Sequence, residues 1–191
     1  MSEPLSPTRV RLSRRLSRVL RHAPESVGLS LDPQGWIPVA TLLEALSAGG
    51  SAVTRADLDA VVAGNDKSRF AVVTGPDGVD RIRASQGHSR RVPVDLALAP
   101  ATPPAELFHG TPAGNLPAIT REGLLPGRRH HVHLSPDVPT AVVVGRRRSA
   151  QVAVLRVAAA AMAADGHVFH RSDNGVWLTA HVPPRFLGTA C

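Results

Sequence analysis

The chain has 191 residues, 43% of them hydrophobic, and a formal net charge of +7. That length holds one large domain or two small lobes with a real core, and that charge implies an anionic partner, nucleic acid before others. The single cysteine, Cys191, excludes internal disulfides and any Cys-based zinc site, and no apolar run approaches the roughly 20 residues of a membrane span.

Residues 9–22 read as an amphipathic helix, with Leu12, Leu16, Val19 and Leu20 on one side. Arg11, Arg14, Arg15, Arg18 and His22 cluster on the other, with Arg21 at its edge. The basic side is either a solvated face or a phosphate-binding one. The same Arg- and Ser-rich composition occurs in transit peptides, but the segment fits a helix of the folded protein. Pro24 ends it. Gly35-Trp36-Ile37-Pro38 reads as a short strand, and Pro38 can open a helix over 39–47 that Gly49-Gly50 stops. Thr54 and Asp57 form a capping box with Asp in place of Glu; the helix they open carries Leu58, Val61 and Val62. A β-rich stretch at 69–73, a turn at Gly75-Pro76-Asp77-Gly78 and a strand Val79–Arg83 follow. Helices followed by a β-hairpin point, by analogy alone, to a winged-helix unit.

Residues 96–104 form a Pro/Ala linker. The second lobe is mixed and strand-rich. It reads as strand Glu106–His109, a helix near 113–121, a strand at 130–135, a helix near 136–144 and strand Gln151–Val157. An Ala-rich stretch and strands within 167–171 and 175–180 complete it. The fold class is α+β, with residues 1–95 as one lobe and 105–191 as the other.

The stretch from Arg129 to Ser135 carries the densest chemistry. Period-2 alternation turns Val132 and Leu134 inward and puts Arg129, His131, His133 and Ser135 on the opposite face. Core packing does not explain such a face. His130-His131-x-His133 is not a zinc site, because adjacent side chains point to opposite strand faces and no Cys or well-spaced acid completes a tetrahedral set. Rossmann, P-loop and Gly-x-Ser-x-Gly signatures are missing, as are paired carboxylates for acid–base work. What remains is arginine and histidine: guanidinium groups bind phosphate bidentately, and imidazole moves protons near neutral pH. Arg21-His22, the loop Asn65-Asp66-Lys67-Ser68-Arg69-Phe70 with the chain's only lysine, and Gln86-Gly87-His88-Ser89 together suggest a metal-free phosphate clamp.

These groups resemble a known family in a specific way. Leu20-Arg21-His22, Asp66-Lys67-Ser68-Arg69-Phe70, Gln86-Gly87-His88-Ser89, His109-Gly110-Thr111, Arg129-x-His131-Val132-His133-Leu134-Ser135 and Asn174-Gly175-Val176-Trp177-Leu178 occur in the order found in the tRNA 2′-phosphotransferase family. The resemblance implies an N-terminal winged-helix RNA lobe and a C-terminal, β-rich ADP-ribosyltransferase-like lobe that binds NAD+. It implies Arg21, His22, Arg69 and Arg129 as catalytic residues. It puts His109, Gly110, Thr111, His133, Ser135, Arg146 and Val176 at NAD+, and Arg18, Lys67, Gln86, His88 and Ser89 on the RNA or its phosphates. Which arginine of Arg146-Arg147-Arg148 meets NAD+ stays open. Val176 stands where many ADP-ribosyltransferases carry a catalytic Glu; an already ionised phosphate nucleophile needs no such base and would be repelled by it. The implied reaction removes an internal RNA 2′-phosphate, as at a tRNA splice junction, with NAD+ as co-substrate and no metal. The expected protein is a cytoplasmic monomer with no membrane partner. Two alternatives stand beside it: ADP-ribosylation of terminal phosphates of RNA or DNA, and a non-catalytic winged-helix nucleic-acid-binding protein.

Overall fold

In the computed structural model, which describes residues 6–48, 52–64 and 69–189, the first helix, α1, covers Pro7–Arg21. Ser6 caps its start and Pro7 opens it, a position where the missing N–H costs nothing. It ends at His22, whose N–H donates to the Arg18 carbonyl at 2.9 Å, two residues ahead of Pro24. Helices α2 (Val39–Ser47) and α3 (Arg55–Ala63) follow. The Thr54–Asp57 capping box forms in both directions.

Strands β1 (Ile37–Pro38), β2 (Phe70–Thr74) and β3 (Asp80–Ala84) make an antiparallel sheet in the order β1-β3-β2. Ile82 sits opposite both Ile37 and Val72. Leu16, Val19 and Leu20 of α1 are buried with Leu42, Leu46, Leu58, Val61 and Ile82 in one core. Each fully buried aliphatic side chain of this kind contributes about 1.5–3 kcal/mol, so the apolar side of α1 holds the helix in place.

The chain divides into two compact units, Met1–Ala97 and Leu98–Cys191. Part of the Pro/Ala stretch is tied down in the second: the Ala101 N–H donates to the Phe169 carbonyl at 2.8 Å, and His170 Nδ1 donates to the Leu98 carbonyl at 2.8 Å.

The second unit holds two three-stranded antiparallel sheets. One has the order β4 (Leu107–Pro112), β6 (Val152–Val157), β9 (Leu187–Thr189). The other has β5 (Val132–Leu134), β8 (Trp177–Thr179), β7 (Phe169–Arg171). Phe108 and Ser135 exchange backbone hydrogen bonds of 2.9 and 2.7 Å and so stitch β4 to the end of β5. Helices α4 (Leu116–Glu122), α5 (Val138–Gly145) and α6 (Ala159–Ala164) connect the strands. The core gathers Leu107, Val132, Leu134, Val157, Met162, Phe169 and Trp177.

Two elements differ from the sequence expectation. β4 runs to Pro112, past the glycine that suggested an end at His109, because it pairs with β6 from Leu107↔Val157 to Pro112↔Val152. β5 is shorter than 130–135: its pairing with β8 covers Val132 to Leu134. Arg129 lies in the turn before it, its N–H donating to the Pro126 carbonyl at 3.1 Å, with Gly127 at φ +61°. The period-2 face therefore begins at the strand and does not extend back to Arg129. No helix among the described residues is long and apolar enough to cross a membrane.

Candidate active site

Each unit brings one group of the sequence-marked residues together. In the first, α1 delivers Arg21 and His22 at its C-terminal end. An Arg21 guanidinium nitrogen donates to the Arg69 carbonyl at 3.2 Å, across 48 residues of sequence. The Ser85 N–H donates to that same carbonyl at 2.9 Å, and the Ser89 N–H donates to the Arg21 carbonyl at 2.9 Å. The helix end, the residue ahead of β2 and the loop after β3 are thus laced by backbone acceptors. Arg18 and His22 are exposed; Arg21, Arg69, Gln86 and Ser89 are half-buried.

His88 is different: it is 3% exposed, and a Cβ on Gly35 would come within 3.4 Å of its Nε2. It is packed inside the unit, so it anchors the 85–89 loop and does not offer its ring to solvent as the loop reading expected. Lys67, with Asn65, Asp66 and Ser68, lies outside the described residues.

In the second unit the group forms around β4 and β5. His109 Nδ1 lies 3.0 Å from the His133 carbonyl oxygen. That oxygen can only accept, so the proton is on Nδ1 and Nε2 of the neutral ring keeps its lone pair. Burial, and after it the positive charge of Arg148, hold the His109 pKa below the ordinary histidine value, although the hydrogen bond to His133 works the other way. The ring is therefore a neutral acceptor of defined tautomer at neutral pH. Burial, and then Arg148, also lower the Arg129 pKa; an arginine so shifted stays cationic.

After burial, the charge of Arg148 adds a lesser lowering to both His109 and Arg129. The expectation named Arg146 but left the choice within Arg146-Arg147-Arg148 open; Arg146 caps α5 with its N–H on the Val142 carbonyl at 2.9 Å. The sequence signal was the run itself; its geometry depends on the turn after the helix, where the Arg148 N–H bonds the Gly145 carbonyl at 3.0 Å.

The neighbours of His109 have structural reasons of their own. A Cβ on Gly110 would lie 1.8 Å from the Ala141 carbonyl oxygen, so only glycine lets α5 cross β4 this closely. Thr111 is buried and its hydroxyl accepts from Asn115 Nδ2 at 3.0 Å. Ser135 is 9% exposed and held by its backbone pairing to Phe108. Asp137 caps α5, its carboxylate accepting from the Thr140 N–H at 2.7 Å. His133 pairs with Leu178 across β5 and β8. Val176 is half-buried ahead of β8, in a turn where Ser172 donates to its carbonyl from both N–H and Oγ at 3.0 Å.

This second group offers one imidazole acceptor with guanidinium charge in its surroundings, a combination that suits an anion. Among the described residues, no group of three or more His, Cys, Asp or Glu side chains is placed to hold a metal ion.

Comparison with known proteins gives a consistent result. A family described as RNA 2′-phosphotransferase, Tpt1 / KptA family, matches residues 7–181. A "Probable RNA 2′-phosphotransferase" of Streptomyces griseus is 57% identical over 182 residues, covering 93% of this chain and 95% of the relative. One of the same name from Streptomyces coelicolor is 57% identical over 93% of each chain. Another from Pseudomonas aeruginosa is 51% identical over 93% of this chain and 95% of its own.

Proposed function

The chain belongs to the RNA 2′-phosphotransferase, Tpt1 / KptA family, transferases that remove an RNA 2′-phosphate, and from that premise we propose an NAD+-dependent reaction and a role for each site residue. The observation that carries the reading is His109: its Nδ1 donates to the His133 carbonyl oxygen, which leaves Nε2 as an acceptor. NAD+ combines ribose hydroxyls with a diphosphate. An Nε2 acceptor suits a ribose hydroxyl, and guanidinium groups suit a diphosphate, so the residues present fit it. His109, with Gly110, Thr111, His133, Ser135 and Val176, holds the nucleotide, and the run Arg146-Arg147-Arg148 supplies positive charge for its diphosphate. When bound, NAD+ supplies an electrophilic ribose carbon, C1″, with nicotinamide as leaving group.

Arg21, His22 and Arg69 bind the RNA 2′-phosphate, supported by Arg18, Lys67, Gln86 and Ser89; His88 acts through the loop it anchors. Arg129 completes the catalytic set. In the first step a phosphate oxygen forms a bond to C1″ as the bond to nicotinamide breaks, giving 2′-phospho-ADP-ribosyl RNA. In the second, O2″ attacks phosphorus and the bond to the RNA 2′-oxygen breaks. The proton leaving O2″ ends on that 2′-oxygen, with His22 as its carrier. The products are RNA with a 2′-OH, ADP-ribose 1″,2″-cyclic phosphate and nicotinamide. The nucleophile arrives ionised, so Val176 in place of a carboxylate is consistent with the chemistry.

The ADP-ribosyltransferase-like and winged-helix readings of the two lobes, and a cytoplasmic monomer as the working form, go with this proposal. The test is incubation of a 2′-phosphorylated RNA oligonucleotide with NAD+. Equimolar loss of the 2′-phosphate and release of nicotinamide support it. Stable ADP-ribosylation of a terminal phosphate with no phosphate loss replaces it with the alternative acceptor chemistry.

A further inference from the structure

α1 carries six arginines in 15 residues and no acid. Around the helix, Arg11, Arg14, Arg15 and Arg18 fall within about 100° of arc, opposite the buried Ser13, Leu16, Val19 and Leu20. Arg11, Arg14 and Arg18 are exposed and Arg15 is half-buried. Their spacing makes like charges neighbours at i, i+3 and i, i+4, which disfavours the helix, and arginine near its N-terminus opposes the helix dipole.

Other arginines of the same unit are neutralised. Arg55 reaches Asp59 at 2.8 Å and Asp80 at 2.6 Å, and Arg81 reaches Asp77 at 2.6 Å. Among the described residues, Arg11, Arg14, Arg15 and Arg18 make no ion pair, and Arg11 donates to the neutral Thr8 hydroxyl at 3.3 Å. An arginine-rich composition accounts for arginine in place of lysine. It does not account for a face from which every acid is missing, in a chain that has 15 of them.

The stripe leads to Arg21 and His22, the residues assigned above to the 2′-phosphate. From Arg11 to Arg21 the axis extends about 15 Å. Consecutive phosphates of a single strand stand farther apart than the roughly 3.4 Å of axis per charge on each strand of a double helix, so that length spans a few phosphates. We infer that the arginine face of α1 is a track for the backbone phosphates flanking the 2′-phosphate on one side, which makes the enzyme select RNA with a flank of several nucleotides on that side. The inference rests on the proposed assignment of Arg21 and His22 to the reacting phosphate.

The test uses the full chain and its R11Q/R14Q/R15Q variant. Glutamine keeps the helix propensity and removes like-charge repulsion, and circular dichroism checks folding. Equilibrium binding is measured without NAD+, across a salt series. The probes are 2′-phosphorylated RNA oligonucleotides with a flank of about one or about five nucleotides, lengthened on the 5′ side or on the 3′ side. The wild type should gain about tenfold in affinity on lengthening one flank and not the other. The variant should lose that ratio, and its log–log salt slope should shrink by about 2, at about 0.7 per phosphate contact. Equal wild-type affinity for short and long flanks overturns the track, as does a variant that keeps the ratio. A variant that keeps the ratio but loses binding to anionic lipid vesicles assigns the face to a membrane surface, which also overturns it. Length-dependent binding of RNA that is never turned over with NAD+ removes the proposed reaction and leaves the track standing.

Discussion

His109 Nδ1 and the His133 carbonyl oxygen stand 3.0 Å apart, each on one of two neighbouring strands. This bond decides which nitrogen of His109 carries the proton and leaves Nε2 as the acceptor. His109→Ala removes that acceptor. NAD+ affinity should fall by about 1–3 kcal/mol, the cost of leaving a buried polar partner unmatched, while RNA affinity holds. Paired titrations of the variant with each ligand check it; unchanged NAD+ affinity removes His109 from the nucleotide site.

Arg148 should add to the burial effect that lowers the titration midpoint of His109. Burial and Arg148 push the His109 pKa below 6.5, so Arg148→Gln should raise the imidazole midpoint measured by NMR. The sign for stability follows. Below pH 6.5 the unfolded chain protonates this ring and the folded one resists, so the unfolded state binds more protons there. The stability contribution is complete above that pH and is lost as the pH falls toward the folded midpoint. A midpoint unmoved in Arg148→Gln contradicts the electrostatic role.

Gly110→Ala should separate β4 from α5, since the new Cβ meets the Ala141 carbonyl oxygen at 1.8 Å. Overpacking of a tight contact costs about 1–3 kcal/mol, and His109, its neighbour, should lose NAD+ affinity with it. Chemical denaturation gives the first reading and a NAD+ titration the second. Wild-type stability in the variant would mean that α5 shifts without cost.

Arg69→Ala or Arg129→Ala should impair the second step more than the first. In the first, the phosphate charge is already present and C1″ becomes more positive, which a guanidinium does not help. In the second, the oxygens on phosphorus crowd around an attacked centre and need positioned donors. Losing one such donor costs about 10²–10³ in rate, so 2′-phospho-ADP-ribosyl RNA should accumulate. A time course on labelled RNA resolves the species; slow loss of starting RNA with no accumulation assigns these arginines to binding or to step one.

Local features were legible in the chain. The Thr54–Asp57 box, α1 with its two faces, the 39–47 helix and the inward pair Val132 and Leu134 all rest on contacts within a few residues, where spacing is geometry. Boundaries went astray where pairing with distant strands decided them, as at β4 and β5.

By itself the sequence determined which residue types are present and in what order, and with them the family. It also determined the helical and strand periods that turn each apolar set inward. Only the tertiary structure decided which His109 nitrogen is protonated, that His88 is interior and that Arg21 is held by a carbonyl 48 residues away. The reason is physical. Burial, tautomer and electrostatic field are properties of what surrounds a side chain, and here those surroundings come from strands and turns remote in the chain.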